Sequence, residues 1–269
     1  MRPDWTVDQP IATYTSDDHA LWAELYARQS RLVADHAAPA FVKALAAMDC
    51  AQVIPSMESL SRRLRASTGW EVVAVPGLLP DDVFFAHLAN RRFPASWWIR
   101  TRAEIDYLVE PDVFHDIFGH VPLLFDPVFA DYLQQYGLAG PKAIAHEAVP
   151  ILARLYWYMV EFGLILVDGN VKAYGAGMLS SFGETQFSVT SPSPNRIGFD
   201  LERVMRTRYW IDRYQSTYFV LDSFEQLFRA SIDTDFAPLY ATIKAVEPFA
   251  PDAIAAGDRV LNAGTRASA

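Results

Sequence analysis

The sequence predicts a mainly α fold (α+β with a few short strands) in a single domain. Three observations carry that expectation. Apolar residues recur at helical spacing through most of the chain. Strand-like composition is confined to a few short runs. No repeat, low-complexity linker or shift in composition divides the 269 residues, so one large domain accounts for them. With 51% of residues apolar and 13% aromatic, a substantial packed core is available. A net charge of -9 excludes the basic face that a nucleic-acid binder needs. One cysteine, Cys50, excludes an internal disulfide and a four-thiolate metal site. No apolar run reaches the roughly 18 residues of a membrane span. The first residues lack the basic-then-apolar order of a signal peptide, so the expected setting is reduced and cytoplasmic.

Taken in order, residues 1–17 are polar and aperiodic and read as an arm over the surface. From Asp17 the pattern is helical, with Leu21, Leu25, Leu32 and Val33 on one side until Pro39 interrupts it, and Phe41 to Ala47 resumes the helix. Residues 55–68 form another, with Met57, Leu60 and Leu64 as the inner stripe. Residues 70–75 have strand composition ended by Pro76-Gly77, and Pro80-Asp81-Asp82 starts a helix. Ser96 to Ile99 reads as a second short strand, and Thr101 with Glu104 suits a capping box. Asp126-Pro127 is an N-cap followed by proline in the first turn, and Gly137 is expected to close that helix. Residues 141–163 give the longest helical run, offset at Pro150. Residues 164–167 and 217–221 read as strands, and 180–195 as a proline-bearing loop. Residues 199–211, 223–232 and 236–246 read as helices. The tail 248–269 is expected to be mobile.

The stretch that promises chemistry is EPDVFHDIFGHVPLL, Glu110 to Leu124, which holds two of the six histidines. Pro111 and Asp112 suit a helix start, whereas Gly119 and Pro122 argue that the helix stops at once. On an ideal α-helix residues five apart point about 140° away from each other. A helix ending at Gly119 releases His120 to turn toward the same centre as His115, making the pair a candidate metal site in need of a third ligand. The run ILARLYWYMVEFGL supplies two charged residues on an otherwise apolar helix, Arg154 and Glu161. They lie about 10 Å apart along the axis, so an internal ion pair and metal ligation by Glu161 both stand as readings of a buried carboxylate. Two imidazoles and a carboxylate suit Zn in a hydrolase or non-haem Fe(II) in an oxygenase.

The strings PDVFHDIFGHVPLL, LYWYMVEFGL, YGAGMLSSFGE, VPGLLPDDVFFAHLANRRFP and TYFVLDSF, spread over residues 70–230, resemble the pterin-dependent aromatic amino acid hydroxylases, and most closely the bacterial phenylalanine-hydroxylating branch. The resemblance implies the catalytic fold of that family and a facial triad of His115, His120 and Glu161 for Fe(II). It places a tetrahydropterin (tetrahydrobiopterin or a bacterial equivalent) beside Leu79, Phe84, Asp116 and Tyr156, with Phe84 stacking on the flat ring. It assigns Arg100 to the carboxylate of L-phenylalanine, in a two-pronged salt bridge, Trp157 to the aromatic pocket, and Ser180 to the boundary between iron and substrate, with O2 as co-substrate. Trp157, Ser180 and Glu161 are thus the catalytic group that the resemblance implies. The implied reaction is phenylalanine to tyrosine, the first step of phenylalanine breakdown. Leu108 departs from some animal members, which carry a threonine there that helps hold the substrate. Ile211 falls where the tyrosine branch places an acid and so favours phenylalanine. The regulatory domain and oligomerisation helix of the animal enzymes have no counterpart in the matching strings, and a monomer is expected.

The plainer readings are that His19, His36, His87 and His146 are structural, that Trp97 and Trp98 are core aromatics, and that Arg91 and Arg92 make ion pairs. Glu184 is read as an acid supporting the ligands from behind. The competing functions are a tryptophan or tyrosine hydroxylase, a Zn hydrolase using the same triad, and a non-catalytic module with a structural metal.

Overall fold

The computed structural model describes residues 1–106 and 110–265. The arm is pinned to the surface where Val7 donates its N–H to the Ala74 carbonyl. Thr15 and Asp18 form a reciprocal cap on α1 (Ser16–His36), and the four apolar residues of its predicted stripe are buried. α2 (Pro39–Met48) begins on Pro39, whose missing N–H is no loss in a first turn. α3 (Met57–Ser67) starts behind its N-cap Ser56 and buries Met57, Leu60 and Leu64.

β1 (Glu71–Val75) and β2 (Arg92–Ser96) pair in parallel, Glu71 opposite Arg92 and Val75 opposite Ser96, joined through α4 (Asp81–Ala89). The second strand therefore lies earlier than the 96–99 read from composition. The backbone beyond Ser96 is used differently: Trp97 O accepts from the Tyr14 hydroxyl and Trp98 O from the Val113 N–H at 2.8 Å. The predicted box of Thr101 and Glu104 is present on a single 3₁₀ turn.

Asp126 caps α5 (Pro127–Ala145) by accepting from the Val128 and Phe129 N–H groups. Gly137 does not end this helix. A Cβ at Gly137 would lie 2.3 Å from the Ala89 nitrogen, and one at Gly140 2.1 Å from Cγ of Phe85. Both glycines let α5 press against α4, and α5 also packs on α6 (Val149–Tyr156). The single long helix expected over 141–163 is in fact broken, with Glu147 in the left-handed region between α5 and α6.

The larger sheet has the order β4-β3-β6-β5-β7, built from β3 (Leu164–Val167), β4 (Asn170–Ala173), β5 (Asn195–Gly198), β6 (Thr217–Leu221) and β7 (Val260–Asn262). β3 and β4 form a hairpin across Asp168-Gly169, both at positive φ, the two-residue turn that such a dipeptide favours. The loop expected over 180–195 is mostly helix: α7 (Ala176–Leu179) leads into α8 (Phe182–Thr190), capped by Ser181. α9 (Leu201–Met205) is shorter than expected because the chain turns aside to exchange backbone hydrogen bonds with Phe249. α10 (Phe224–Ile232) and α11 (Phe236–Lys244) follow the sequence reading and pack on α5. Residues 249–262 are tied to the rest of the chain. They carry the Phe249 bridge, the buried Asp258–Arg203 ion pair and β7 on the sheet edge.

Helices dominate, at 53% against 13% strand, which makes the fold mainly α around one continuous apolar core. The α4–α5 contact gives a direct test. Gly137→Ala should cost about 1–3 kcal/mol in urea unfolding, the usual range for an overpacked contact. Gly77→Ala, with nothing within 4 Å of the added carbon, should change stability by no more than about 0.5 kcal/mol.

Candidate metal centre and adjoining cavity

The histidine segment neither stops at Gly119 nor continues as an α-helix. After one turn capped by Asp112, whose Oδ1 accepts the His115 N–H at 3.0 Å, it widens into a π-helix over His115–His120 and then tightens to 3₁₀ over Val121–Phe125. Closing the backbone between residues five apart brings residues five apart onto one side. That removes the divergence of the α-helical geometry, and the two Nε2 atoms lie 3.2 Å apart. Gly119 serves another purpose, since a Cβ there would lie 2.9 Å from the Ala176 carbonyl oxygen of α7.

Glu161 ends a second π-helical turn, Trp157–Glu161, closed by the Phe162 N–H on the Trp157 carbonyl at 2.9 Å. Its carboxylate reaches both rings, with Oε1 3.2 Å from Nε2 of His120 and Oε2 3.6 Å from Nε2 of His115. Arg154 turns away and donates to Met205 O, so the ion-pair reading of Glu161 fails. Gly175 and Gly177 lie directly over Glu161, where a Cβ would come within 2.4 Å and 3.1 Å of its atoms.

Proton positions follow from the partners. The Ser180 hydroxyl donates to Ala176 O at 2.9 Å, so its 2.8 Å contact with His115 needs the Nδ1–H of the ring as donor. Nε2 of His115 then presents a lone pair to the centre. Burial pushes the His115 imidazolium down to about 4, only partly offset by Glu161, so the ring is neutral at pH 7. Burial also opposes charge on His120 and Glu161, but each holds the other in its charged form, His120 raised and Glu161 lowered. A divalent cation fits this donor set. Adjacent ligands at ~2.1 Å from a metal are separated by about 3.0 Å in an octahedron and about 3.4 Å in a tetrahedron. The two Nε2 atoms stand 3.2 Å apart, one Glu161 oxygen is 3.2 Å from His120 and the other 3.6 Å from His115, and the three residues are the one such cluster among the described residues.

The three ligands lie at one end of a cavity of about 290 Å³. All four residues assigned to the pterin, Leu79, Phe84, Asp116 and Tyr156, line it. Phe84 and Tyr156 meet edge to face with centroids 5.5 Å apart. Asp116 is buried, its Oδ2 accepts the Ser96 N–H at 2.6 Å, and burial raises its carboxyl to about 7 against the pull of His120 and that hydrogen bond. Among the wall residues that the sequence reading did not assign to the site are two large aromatics. Phe93 packs on the His120 ring at 4.8 Å, and Trp98, taken as core, faces the cavity.

Arg100, Trp157 and Ser180 do not line this cavity. Arg100 is buried, and its backbone N–H, Nε and Nη2 all donate to Asp112 at 2.8–2.9 Å. The two-pronged pair observed is therefore internal, and the Nη1 side of the fork is what remains for a ligand. Asp112, fully buried, also caps the His115 turn; the sequence offered it only as a first-turn acid. Trp157 stacks on Tyr209 at 4.5 Å and 19°, a partner no motif announced. Glu184 lies apart from the ligands and is bonded instead by the Gln215 N–H and the Tyr218 hydroxyl. Ile211 is 77% exposed on the loop before β6, and Leu108 lies outside the described residues. His19, His36 and His87 make hydrogen bonds of structural kind, and Arg91 and Arg92 pair with Asp131 and Asp4.

A family model for biopterin-dependent aromatic amino acid hydroxylases matches residues 5–238. The chain is 55% identical to a phenylalanine-4-hydroxylase of Ralstonia nicotianae over 99% of its own length and 85% of the relative's. It is 40% identical to human tyrosine 3-monooxygenase over 80% of its length and 41% of that protein. The crystal structure of the Chromobacterium violaceum phenylalanine hydroxylase bound to cobalt superposes with a TM-score of 0.95 at 54% identity, covering 97% of this chain and 94% of that one.

The Ser180–His115 bond sets an expectation. Ser180→Ala frees the ring to take the wrong tautomer, and cobalt affinity by titration should fall 10- to 100-fold, as is usual when a group orienting a ligand is lost. Unchanged affinity would mean that the tautomer is held by something else.

Proposed function

This chain belongs to the biopterin-dependent aromatic amino acid hydroxylases, and on that footing we propose that it is a phenylalanine 4-monooxygenase. It converts L-phenylalanine to L-tyrosine with O2, Fe(II) and a tetrahydropterin, in the first step of phenylalanine breakdown. The observation that carries the reading is the meeting of His115, His120 and Glu161 on one side of a point that opens into an aromatic-walled cavity.

His115, His120 and Glu161 would hold the metal from one face and leave its other positions open. Bound together, Fe(II) and the reduced pterin supply the activation of dioxygen. The chain's own residues do the rest. Leu79, Phe84 and Tyr156 give a flat ring an apolar slot, and Asp116 offers an acid at its polar edge. Arg100, oriented by Asp112, binds the amino acid carboxylate. Trp157, backed by Tyr209, holds the aromatic ring of the substrate, and Ser180 keeps Nε2 of His115 aimed at the metal. The buried walls exclude water from the reacting atoms. No side chain has to act as nucleophile. The exposed apolar Ile211, where the tyrosine branch carries an acid, supports phenylalanine as the preferred substrate. We further assign the chain one catalytic domain, a monomeric state and the cytoplasm, readings supported by the resemblance to the bacterial branch. No helix among the described residues is long and apolar enough to cross a membrane.

An aerobic assay for tyrosine decides the matter. Product should require Fe(II), tetrahydropterin and O2 together, and a chelator should abolish it. Glu161→Ala should lower metal affinity by at least ~100-fold and leave no measurable turnover, since it removes a ligand rather than a supporting contact. No tyrosine under these conditions, together with metal-dependent hydrolysis of an ester or amide that needs neither O2 nor pterin, would instead identify a hydrolase, and full activity in Glu161→Ala would refute the metal assignment.

A further inference from the structure

The loop over residues 206–216, between α9 and β6, forms part of the substrate side of the site, because its Tyr209 stacks on Trp157. Its first residues are fixed from outside, by Arg206 and Arg208 exchanging backbone hydrogen bonds with Phe249 and by the Tyr158 hydroxyl donating to Arg208 O, and inside it the Trp210 indole N–H donates to the Ser216 hydroxyl at 3.0 Å. Ile211, Asp212 and Arg213 are exposed, and residues 208–210 and 214–215 belong to no regular element. One local device is Gln215, 1% exposed. Its side-chain amide accepts the Trp210 N–H at 3.1 Å and donates to Trp210 O at 2.7 Å, clasping the loop into a ring.

That clasp is anchored by one carboxylate. Oε1 of Glu184 accepts the Gln215 N–H at 3.1 Å and the Tyr218 hydroxyl at 2.7 Å. Glu184 is 6% exposed, and no cation among the described residues pairs with it. The groups facing it are the Tyr214 and Tyr218 phenols. Arg196 of β5, near Tyr218, spends its guanidinium on the carbonyls of Ser188 and Ser191. An unpaired buried acid is costly to keep, and here its visible work is to hold the loop. Its placement in the chain is telling. Ser180, which orients His115, stands four residues before it, so the segment that aims a metal ligand also tethers the wall behind Trp157.

We propose that Glu184 is a positioning residue: through Gln215 it holds the 206–216 loop so that Tyr209 backs Trp157, and thereby sets affinity for the amino acid without affecting the pterin side. The claim rests on the hydroxylase reading for its substrate, but the tether itself is a property of the folded chain. Burial raises the Glu184 carboxyl to about 7. A group raised in the folded state contributes fully below its unfolded value and loses that contribution as pH rises through the folded one. Wild type should therefore lose stability relative to Glu184→Gln as pH rises from about 5 through 7.

The test uses full-length Glu184→Ala, Glu184→Gln and Gln215→Ala. In Glu184→Ala, amide exchange over 206–216 should speed up about tenfold, the scale of the net loss of one hydrogen bond. KM for phenylalanine should rise by a similar factor while KM for the tetrahydropterin stays within about twofold. Glu184→Gln, which keeps the acceptor, should restore both values and abolish the pH-dependent loss of stability. Gln215→Ala should reproduce the loop effect and decides the issue if Glu184→Ala does not fold. Unchanged exchange in the loop, or equal rises in both KM values, would overturn the proposal. Failure of wild type to form tyrosine would instead remove the functional reading and leave the exchange result to judge the tether.

Discussion

Two helical turns in this protein close between residues five apart instead of four, and the site depends on that departure. One carries both histidines; the other ends on Glu161. An α-helix would turn the two imidazoles about 140° apart. The wider turn lines them up without a break in the chain, so the ligands remain on a rigid, buried support. Such turns are uncommon and gather at functional sites because the regular helix is the cheaper conformation. Tertiary packing keeps them here. Gly119 lets the first lie against α7, and Gly175 and Gly177 bring bare backbone over the end of the second.

Around that support, the buried charges are arranged in pairs that fix direction. Asp112 receives three donors from Arg100 and caps the turn that begins at His115. Breaking a buried pair of this kind is expensive because the surviving charge is stranded, so Arg100 is held in place before any ligand arrives. Ser180 does the corresponding task for the His115 ring, donating its hydroxyl hydrogen bond to the Ala176 carbonyl so that toward the ring it can only accept. The same residues that keep the site in shape also keep its lone pairs pointed inward.

The glycines teach the most about reading this chain. Gly119 and Gly137 have the placement of helix stops, and both lie inside continuing helical chain. Each is small because another backbone or ring occupies the space of a side chain. A glycine at a terminus and a glycine at a contact look alike in one sequence, since the difference resides in a neighbour remote along the chain. The same limit explains the displaced second strand. Residues 92–96 carry a proline that argues against a strand, yet pairing with β1 selects them, while Trp97 and Trp98 bond the arm and the histidine turn.

Local patterns alone settled the α1 stripe, the cap at Asp126, the box of Thr101 with Glu104 and the strand Thr217–Leu221, because each depends on residues within a turn of one another. The family strings added which side chains would gather, and Leu79, Phe84, Asp116 and Tyr156 line one cavity. What awaited the tertiary structure was every relation between distant residues: the π pitch that aligns His115 with His120, Asp112 beneath Arg100, Tyr209 against Trp157, and Glu184 under the loop. These are set by what packs against a residue from elsewhere in the chain, and no local periodicity encodes that.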